Sequence, residues 1–129
     1  KRNTGNSRRN VINEEQIENI LKKYCESNTL EYISFFYQDY KIEDRIKLFN
    51  DATIVIGVHG SCNFHTIFCK PNTKIIEFVC IKDCHSTQLV NLSYRLDYWQ
   101  IPIPEYGQFE HSIKISQNSI DSMNMILNI

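Results

Sequence analysis

The feature that most constrains this chain is the alternation of strand-like and helix-like hydrophobic patterns along it. Two short runs, residues 53–57 and 74–79, are almost wholly apolar, which is typical of strands buried on both faces of a parallel sheet. Segments with apolar residues at helical spacing precede and follow these runs. Because two parallel strands need a long crossover between them, usually a helix, this order of patterns predicts βαβ units.

Such units predict an α/β fold: a Rossmann-like domain with a mainly parallel sheet and helices on both faces. We predict a single domain over residues 1–129, since this length suits one hydrophobic core. Ligands of such sheets bind beyond the carboxyl ends of the strands. The other predicted elements are a helix begun by a capping box from Asn13 to Gln16, a strand at 30–37, helices at 42–50, 63–69 and 86–96, strands at 98–101 and 111–116, and a last helix from Ser116 or Gln117.

Charge and hydropathy narrow the classes of partner. The formal net charge is −1, whereas nucleic-acid-binding domains usually carry a clear basic excess, so we expect no nucleic-acid partner. No apolar run approaches the roughly 20 residues that cross a bilayer, so we expect no membrane span in this segment.

Cysteine usage and the first residues bear on the compartment. The five cysteines are odd in number and follow no disulfide-scaffold spacing, which favours a reducing environment. The chain has neither an initiator Met nor a signal-peptide pattern, so we expect a piece of a longer protein. The expected location is the cytoplasm, with the ER or Golgi lumen as the alternative if the full chain carries a signal.

The strongest local candidate for a ligand site is the turn after the first apolar strand, where His59 and Gly60 follow Gly57 and Val58. Glycines let backbone approach a ligand closely, and the N-terminus of a following helix favours phosphate. His59 can donate a hydrogen bond to a phosphate or a sugar hydroxyl, or titrate near neutral pH. The alternative is a histidine with a structural role at the end of a strand.

Two further candidates are charged. Arg8 and Arg9 precede the first helix, and guanidinium groups suit a diphosphate because they deliver parallel, charge-assisted hydrogen bonds; the alternative is a solvated basic stretch. Glu77 interrupts an otherwise apolar strand, where a carboxylate is costly unless it is paired or lies near the open end of the sheet. It can accept hydrogen bonds from ribose hydroxyls there, or form a salt bridge with a Lys or Arg of a helix.

A metal site is not expected from the cysteines and histidines. Cys80, Cys84 and His85 lie close together in the chain, but their spacing fits no common zinc pattern. Tyr94, Tyr98 and Trp99 could stack on a base, although aromatic residues at a helix–strand junction more often belong to the core.

These segments, taken in order, resemble glycosyltransferase family 61. Arg2, Arg8 and Arg9 are similar to the arginine cluster of that family, and residues 12–15 (Ile-Asn-Glu-Glu) are similar to its helix start. Residues 55–60 (Val-Ile-Gly-Val-His-Gly) match its most specific motif. The remaining matching segments are residues 46–52, 68–73 and 75–77.

The resemblance implies a GT-B glycosyltransferase, of which this chain is the C-terminal half, with inverting transfer from a nucleotide sugar, commonly a UDP-sugar, to an acceptor hydroxyl. Its partners are then the donor, a protein or glycan acceptor, and the missing N-terminal half of the enzyme. It implies no cofactor and no metal, since side chains and a helix N-terminus offset the leaving-group charge.

Carried over to this sequence, the resemblance implies that Arg8 and Arg9 neutralise the diphosphate and that Glu77 holds the ribose. His59, Gly60 and Ser61 then line the donor pocket. His59 is also the candidate within this domain for the catalytic base, although a donor-binding role is the stronger expectation for it.

The sequence departs from the family pattern just after His59-Gly60. The family has small and apolar residues at the positions that are Ser61, Cys62 and Asn63 in this sequence. It also has an asparagine at the position of His65. These departures motivate an alternative, a non-catalytic nucleotide-binding or interaction module with a degenerate site. A third interpretation is a Rossmann-like scaffold without a ligand.

Overall fold

The computed structural model of the chain describes residues 10–79, 85–103 and 112–129. Its elements in chain order are the strands and helices β1 (Asn10–Val11), α1 (Glu14–Ser27), α2 (Ile42–Asp51), β2 (Ile54–Val58), β3 (Lys74–Val79), α3 (His85–Ser93), β4 (Asp97–Pro102), β5 (Ser112–Ile113) and α4 (Gln117–Leu127). Two 3-10 helices, Tyr37–Asp39 and Ser61–Phe68, lie between them.

The strand pairing confirms the predicted parallel sheet. β3 lies between β2 and β4 and is parallel to both, and the short strands β1 and β5 also pair in parallel. From Ile75 to Val79 every residue of β3 is buried, as a central strand covered on both faces requires. β2 was predicted to be buried in the same way, but it is half-buried along its whole length. Among the described strands it pairs only with β3, which leaves it at an edge.

Helices cover both faces of the sheet, as predicted. Alternate residues of β3 point to opposite faces: Ile76 and Phe78 pack with residues of α1 and α4, while Ile75 packs with Phe49 of α2. The larger apolar cluster also includes Ile113 and residues of β4 and α4. This mixed α/β arrangement is consistent with the predicted Rossmann-like fold.

The helix at Asn13 begins where the sequence predicts, but the capping box does not form. Asn13 makes no side-chain cap to the backbone of α1. Its Oδ1 instead accepts from the backbone N–H of Ile115 at 2.9 Å, and its Nδ2 donates to the Ile115 carbonyl at 3.0 Å. The side chain that local sequence assigns to a cap therefore ties α1 to the segment before α4.

The strand predicted over residues 30–37 is wrong. Residues 30–36 adopt neither strand nor helix, and the 3-10 helix Tyr37–Asp39 follows them. The aromatic ring of Phe35 packs edge-on to Phe49 with centroids 5.2 Å apart and stacks on Tyr40 at 5.3 Å. The aromatic content that suggested a strand thus covers α2 as an irregular segment.

The remaining predicted elements are confirmed with small changes of boundary. The helix predicted from residue 63 is the 3-10 helix Ser61–Phe68, and the last helix begins with Ser116 as its N-cap, whose hydroxyl accepts from the Ser119 N–H. On α2 Phe49 is buried, whereas Ile42 and Ile46 are exposed. Within the described segments, no helix combines the length and apolar character that crossing a membrane demands.

Candidate functional site

His59 lies at the carboxyl end of the sheet, as predicted. Its backbone N–H donates to the carbonyl of Phe78 at 2.8 Å, so the pairing of β2 with β3 continues one residue beyond β2. The side chain is 14% exposed. Gly60 follows with φ 171° and ψ 172°, an extended conformation open to any residue, and the 3-10 helix begins at Ser61. The order strand, His-Gly turn and helix is the one that the sequence predicts.

Glu77 lies next to His59 and is almost completely buried, with 1% of its surface exposed. Among the described residues, four side chains share its two carboxylate oxygens. Oε1 accepts from Nδ1 of His59 at 2.9 Å and from Nδ2 of Asn63. Oε2 accepts from the hydroxyl of Thr87 at 3.0 Å and from that of Tyr98. The cost of burying this carboxylate is thus offset by hydrogen bonds.

The four partners come from different parts of the fold. His59 follows β2, Asn63 belongs to the 3-10 helix Ser61–Phe68, Thr87 belongs to α3 and Tyr98 to β4. Glu77 itself is on the central strand. The carboxylate therefore joins the turn that carries His59 to two helices and a neighbouring strand.

These hydrogen bonds control the charge of the site. Burial alone raises the pKa of Glu77, but the hydrogen bonds from His59, Tyr98 and Asn63 outweigh it and hold this pKa below its ordinary value of 4.5. Burial also raises the pKa of the Tyr98 phenol, and the hydrogen bond to Glu77 raises it further. At neutral pH the site thus contains an ionised carboxylate and a neutral phenol that donates to it.

Further hydrogen bonds support the partners of Glu77. Nε2 of Gln100 donates to the Tyr98 hydroxyl at 2.8 Å. On the other side, the hydroxyl of Thr66 lies 2.7 Å from the Asn63 carbonyl and 2.6 Å from Oδ1 of the buried Asn91. The polar cluster therefore continues from the end of the sheet into the contact between the 3-10 helix and α3.

The structure brings together some of the predicted site residues. His59, Gly60 and Glu77 lie at the same end of the sheet. Arg8 and Arg9 lie outside the described residues, and so does the side chain of Ser61. The cysteines and histidine considered for a metal are only partly described: Cys80 and Cys84 lie outside the described residues, as does the His85 side chain. Within the described segments no group of three or more His, Cys, Asp or Glu could hold a metal ion.

Among the residues that the structure describes, Glu77 has no Lys or Arg of a helix as a salt-bridge partner, which was the structural alternative for it. Its partners are a histidine, an amide and two hydroxyls rather than a Lys or Arg of a helix. A direct bond to a ribose would require one of these four donors to move away. The ribose contact stays a prediction, while the observed contacts connect Glu77 to His59.

One family comparison decides the assignment. The model of the family described as Glycosyltransferase 61 matches residues 1–76, more than half of the 129-residue chain. The chain belongs to glycosyltransferase family 61. No curated protein and no solved structure gave a match.

The family 61 match covers part of the candidate site. It includes Arg8, Arg9 and the turn with His59, and it ends at Ile76, one residue before Glu77. Thr87 and Tyr98, which hydrogen-bond to Glu77, lie beyond the match. The site of this family 61 chain therefore combines residues from the matched segment with residues that follow it.

Sequence reasoning missed the residues that surround Glu77. Tyr98 was considered only as a stacking or core residue, and Thr87 carries no signal that the sequence alone reveals. The strand register explains the position of Tyr98: it pairs with Ile75, two residues before Glu77, so Tyr98 and Glu77 share one face of the sheet.

Two residues that depart from the family 61 pattern, Asn63 and His65, make contacts within the domain. Asn63 donates to Glu77. His65 packs among aromatic rings, with its centroid 5.4 Å from that of Phe49 and 5.6 Å from that of Tyr37. Both side chains thus have structural contacts within the domain.

Proposed function

We propose that this chain is the donor-binding half of an inverting GT-B glycosyltransferase, which transfers a sugar from a nucleotide sugar, preferentially a UDP-sugar, to an acceptor hydroxyl. The single observation that carries the proposal is the position of His59 and Gly60 at the carboxyl end of a parallel sheet, within the segment that matches family 61. Ligands of such sheets bind at this end. Membership of the family supports the reaction class.

The proposed chemistry is a direct displacement at the anomeric carbon. An acceptor oxygen attacks this carbon, the bond to the diphosphate breaks, and the nucleoside diphosphate leaves with the bonding electrons. Negative charge develops on the leaving group, so cationic and hydrogen-bond-donating groups fixed around it stabilise the transition state. In this proposal Arg8 and Arg9 contact the diphosphate, His59 contacts it through its imidazole, and Gly60 allows close approach of the backbone.

The N-terminal half of the enzyme completes the proposal. It would hold the protein or glycan acceptor and supply the base that removes the proton from the acceptor hydroxyl. Within this domain His59 is the candidate for that base, but its position beside the turn and the helix start favours contact with the donor. The reaction in this proposal uses no metal and no cofactor.

The test is a calorimetric titration of the full-length protein with UDP, GDP and CMP, without added metal. We expect saturable binding of one nucleotide. Changing Arg8 and Arg9 to Ala together should weaken it by about 1–3 kcal/mol for each arginine that pairs with the diphosphate. The matched control is the double change Lys22→Ala/Lys23→Ala on α1, which removes the same charge and should leave the affinity unchanged.

Two outcomes contradict the proposal. If no nucleotide binds, or if the arginine variant binds as tightly as the control, the donor-binding role is wrong. If a nucleotide sugar binds but the full-length protein never transfers or hydrolyses it, the non-catalytic module is the better description.

A further inference from the structure

The carboxylate of Glu77 is placed to act on the imidazole of His59. Oε1 of Glu77 lies 2.9 Å from Nδ1 of His59, and the Glu77 side chain is 1% exposed. Because the pKa of Glu77 is held below its ordinary value, the carboxylate is ionised at neutral pH and can only accept this hydrogen bond. Nδ1 of His59 therefore carries the proton.

A protonated Nδ1 determines which atom of His59 can meet a ligand. The two ring nitrogens are distinct, and the hydrogen bond made by one fixes the role of the other. With Nδ1 committed to Glu77, the chemistry of the imidazole toward a ligand falls to Nε2. A neutral ring presents Nε2 as an acceptor, and a protonated ring presents it as a donor next to a paired negative charge.

Both oxygens of the Glu77 carboxylate accept hydrogen bonds, so the carboxylate has a fixed orientation relative to the His59 ring. Asn63 shares Oε1 with His59, while Thr87 and Tyr98 hold Oε2. Gln100 donates in turn to the Tyr98 hydroxyl at 2.8 Å. Rotation of the carboxylate would break hydrogen bonds to three other elements of the fold.

We propose that Glu77 is a positioning residue that acts on the nucleotide donor through His59 and does not touch the nucleotide itself. Glu77 fixes the imidazole with Nδ1 protonated and Nε2 directed to the diphosphate. This inference rests on the proposed function, because it requires a nucleotide at the end of the sheet. It differs from the role that the family resemblance implies, in which Glu77 holds the ribose.

The first measurement is the protonation pattern of His59 in the full-length protein, selectively labelled with ¹⁵N in the histidine rings. Long-range ¹H–¹⁵N spectra distinguish the two neutral forms of imidazole, and His59→Gln assigns the signals. We expect the neutral form of the His59 imidazole in the wild type to carry its proton on Nδ1. A neutral ring protonated at Nε2 overturns the proposal, and this readout requires no variant of Glu77 to fold.

The second measurement is a double-mutant cycle with UDP as the ligand. Glu77→Gln should weaken UDP binding about tenfold, the order expected for loss of one charge-assisted hydrogen bond. His59→Ala should weaken it at least as much, and adding Glu77→Gln to His59→Ala should cause no further loss, because Glu77 acts through the ring. An undiminished effect of Glu77→Gln in the His59→Ala background overturns the proposal.

Two comparisons separate positioning from other roles. Tyr98→Phe removes a donor from Oε2 and leaves the contact of Oε1 with His59, so it should retain the Nδ1-protonated form. Wild type and Glu77→Gln should also prefer UDP over 2′-deoxy-UDP by the same factor. If Glu77→Gln abolishes that preference, Glu77 contacts the ribose and the positioning role is wrong.

Failure of the inference is distinguishable from failure of the proposed function. If wild-type protein binds no nucleotide, both are wrong. If wild-type protein binds UDP, but Glu77→Gln binds it equally well and keeps the same His59 spectrum, the positioning role alone is wrong and the donor-binding function stands.

Discussion

At the scale of single residues, the buried carboxylate of Glu77 is the feature with the largest consequences. A carboxylate with a lowered pKa stabilises the fold most at a pH above its unfolded value, and this stabilisation is lost as the pH falls through the folded value. For Glu77 the folded pKa is below 4.5. Its contribution to the free energy of unfolding should therefore be complete near neutral pH and decline in acid below about pH 4.5.

We expect Glu77→Gln to lower the free energy of unfolding at pH 7 by about 2–5 kcal/mol, because the amide cannot accept all four hydrogen bonds and leaves buried donors without partners. The difference between wild type and Glu77→Gln should narrow between pH 7 and pH 3. Urea unfolding of both proteins at several pH values measures it. The control is Glu31→Gln, the same change at an exposed glutamate. A difference in the free energy of unfolding between wild type and Glu77→Gln that stays constant with pH would contradict the prediction.

The sequence identified Glu77 and His59 as unusual but did not pair them. An acidic residue inside an apolar strand and a histidine at a strand end are visible in the sequence, because each breaks a local pattern. Their contact depends on the register of β2 against β3, in which Gly57 pairs with Glu77 and Val58 with Phe78. Hydrophobic patterns do not determine this register when both strands are apolar, since a shifted pairing buries similar side chains.

At the scale of elements, the start of α1 shows how a tertiary contact replaces a local one. Asn followed three residues later by Gln is a sequence pattern of a capping box. In the fold, both polar atoms of the Asn13 side chain bind the backbone of Ile115. Asn13 therefore ties the start of α1 to the segment before α4.

This assignment predicts an unusual result for α1. Asn13→Ser should lower the free energy of unfolding nearly as much as Asn13→Ala, by about 1–3 kcal/mol, because serine is a good N-cap but cannot supply both hydrogen bonds to Ile115. Ser116 provides the contrast, since its hydroxyl does cap α4: Ser116→Asp should be tolerated and Ser116→Ala should cost about 1 kcal/mol. Urea unfolding measures all four variants, and full rescue by Asn13→Ser would show that Asn13 acts as a cap.

The irregular segment at residues 30–36 shows why aromatic content is a weak guide to strands. Strand propensity reflects how a side chain fits a pleated, half-buried surface. Phe35 instead finds its contacts with Phe49 and Tyr40, and these contacts require no strand. Local pattern alone could not distinguish a strand from a segment that packs over a helix.

At the scale of the whole molecule, the family match and the hydrophobic core cover different parts of the chain. The match ends at residue 76, whereas the larger apolar cluster depends on residues after it. The buried side chains of the cluster in β5 and α4 belong to Ile113, Ile120, Met123 and Leu127. They cover the face of β3 that carries Ile76 and Phe78.

Ending the chain at residue 111 should therefore abolish cooperative unfolding. Each large apolar side chain that is buried contributes about 1.5–3 kcal/mol, so losing four of them removes an amount comparable with the entire stability of a typical domain, about 5–15 kcal/mol. Circular dichroism during a thermal scan measures the loss. Ending the chain at Leu127 should be tolerated, because Ile129 is exposed, and a cooperative transition in the shorter chain would contradict the assignment of this core.

The sequence by itself determined the fold class, the order of most elements and the candidate turn at His59. These follow from the periodicity of apolar residues, the length of each apolar segment and the positions of glycines. Each of these signals depends only on residues that are close together in the chain. Only the tertiary structure decided that Glu77 is shared by His59, Asn63, Thr87 and Tyr98, and that Asn13 binds Ile115. Those contacts join residues separated by 10 to 102 positions in the chain. They form because buried polar groups need hydrogen-bond partners, and the packing of the sheet against its helices decides which groups lie within reach.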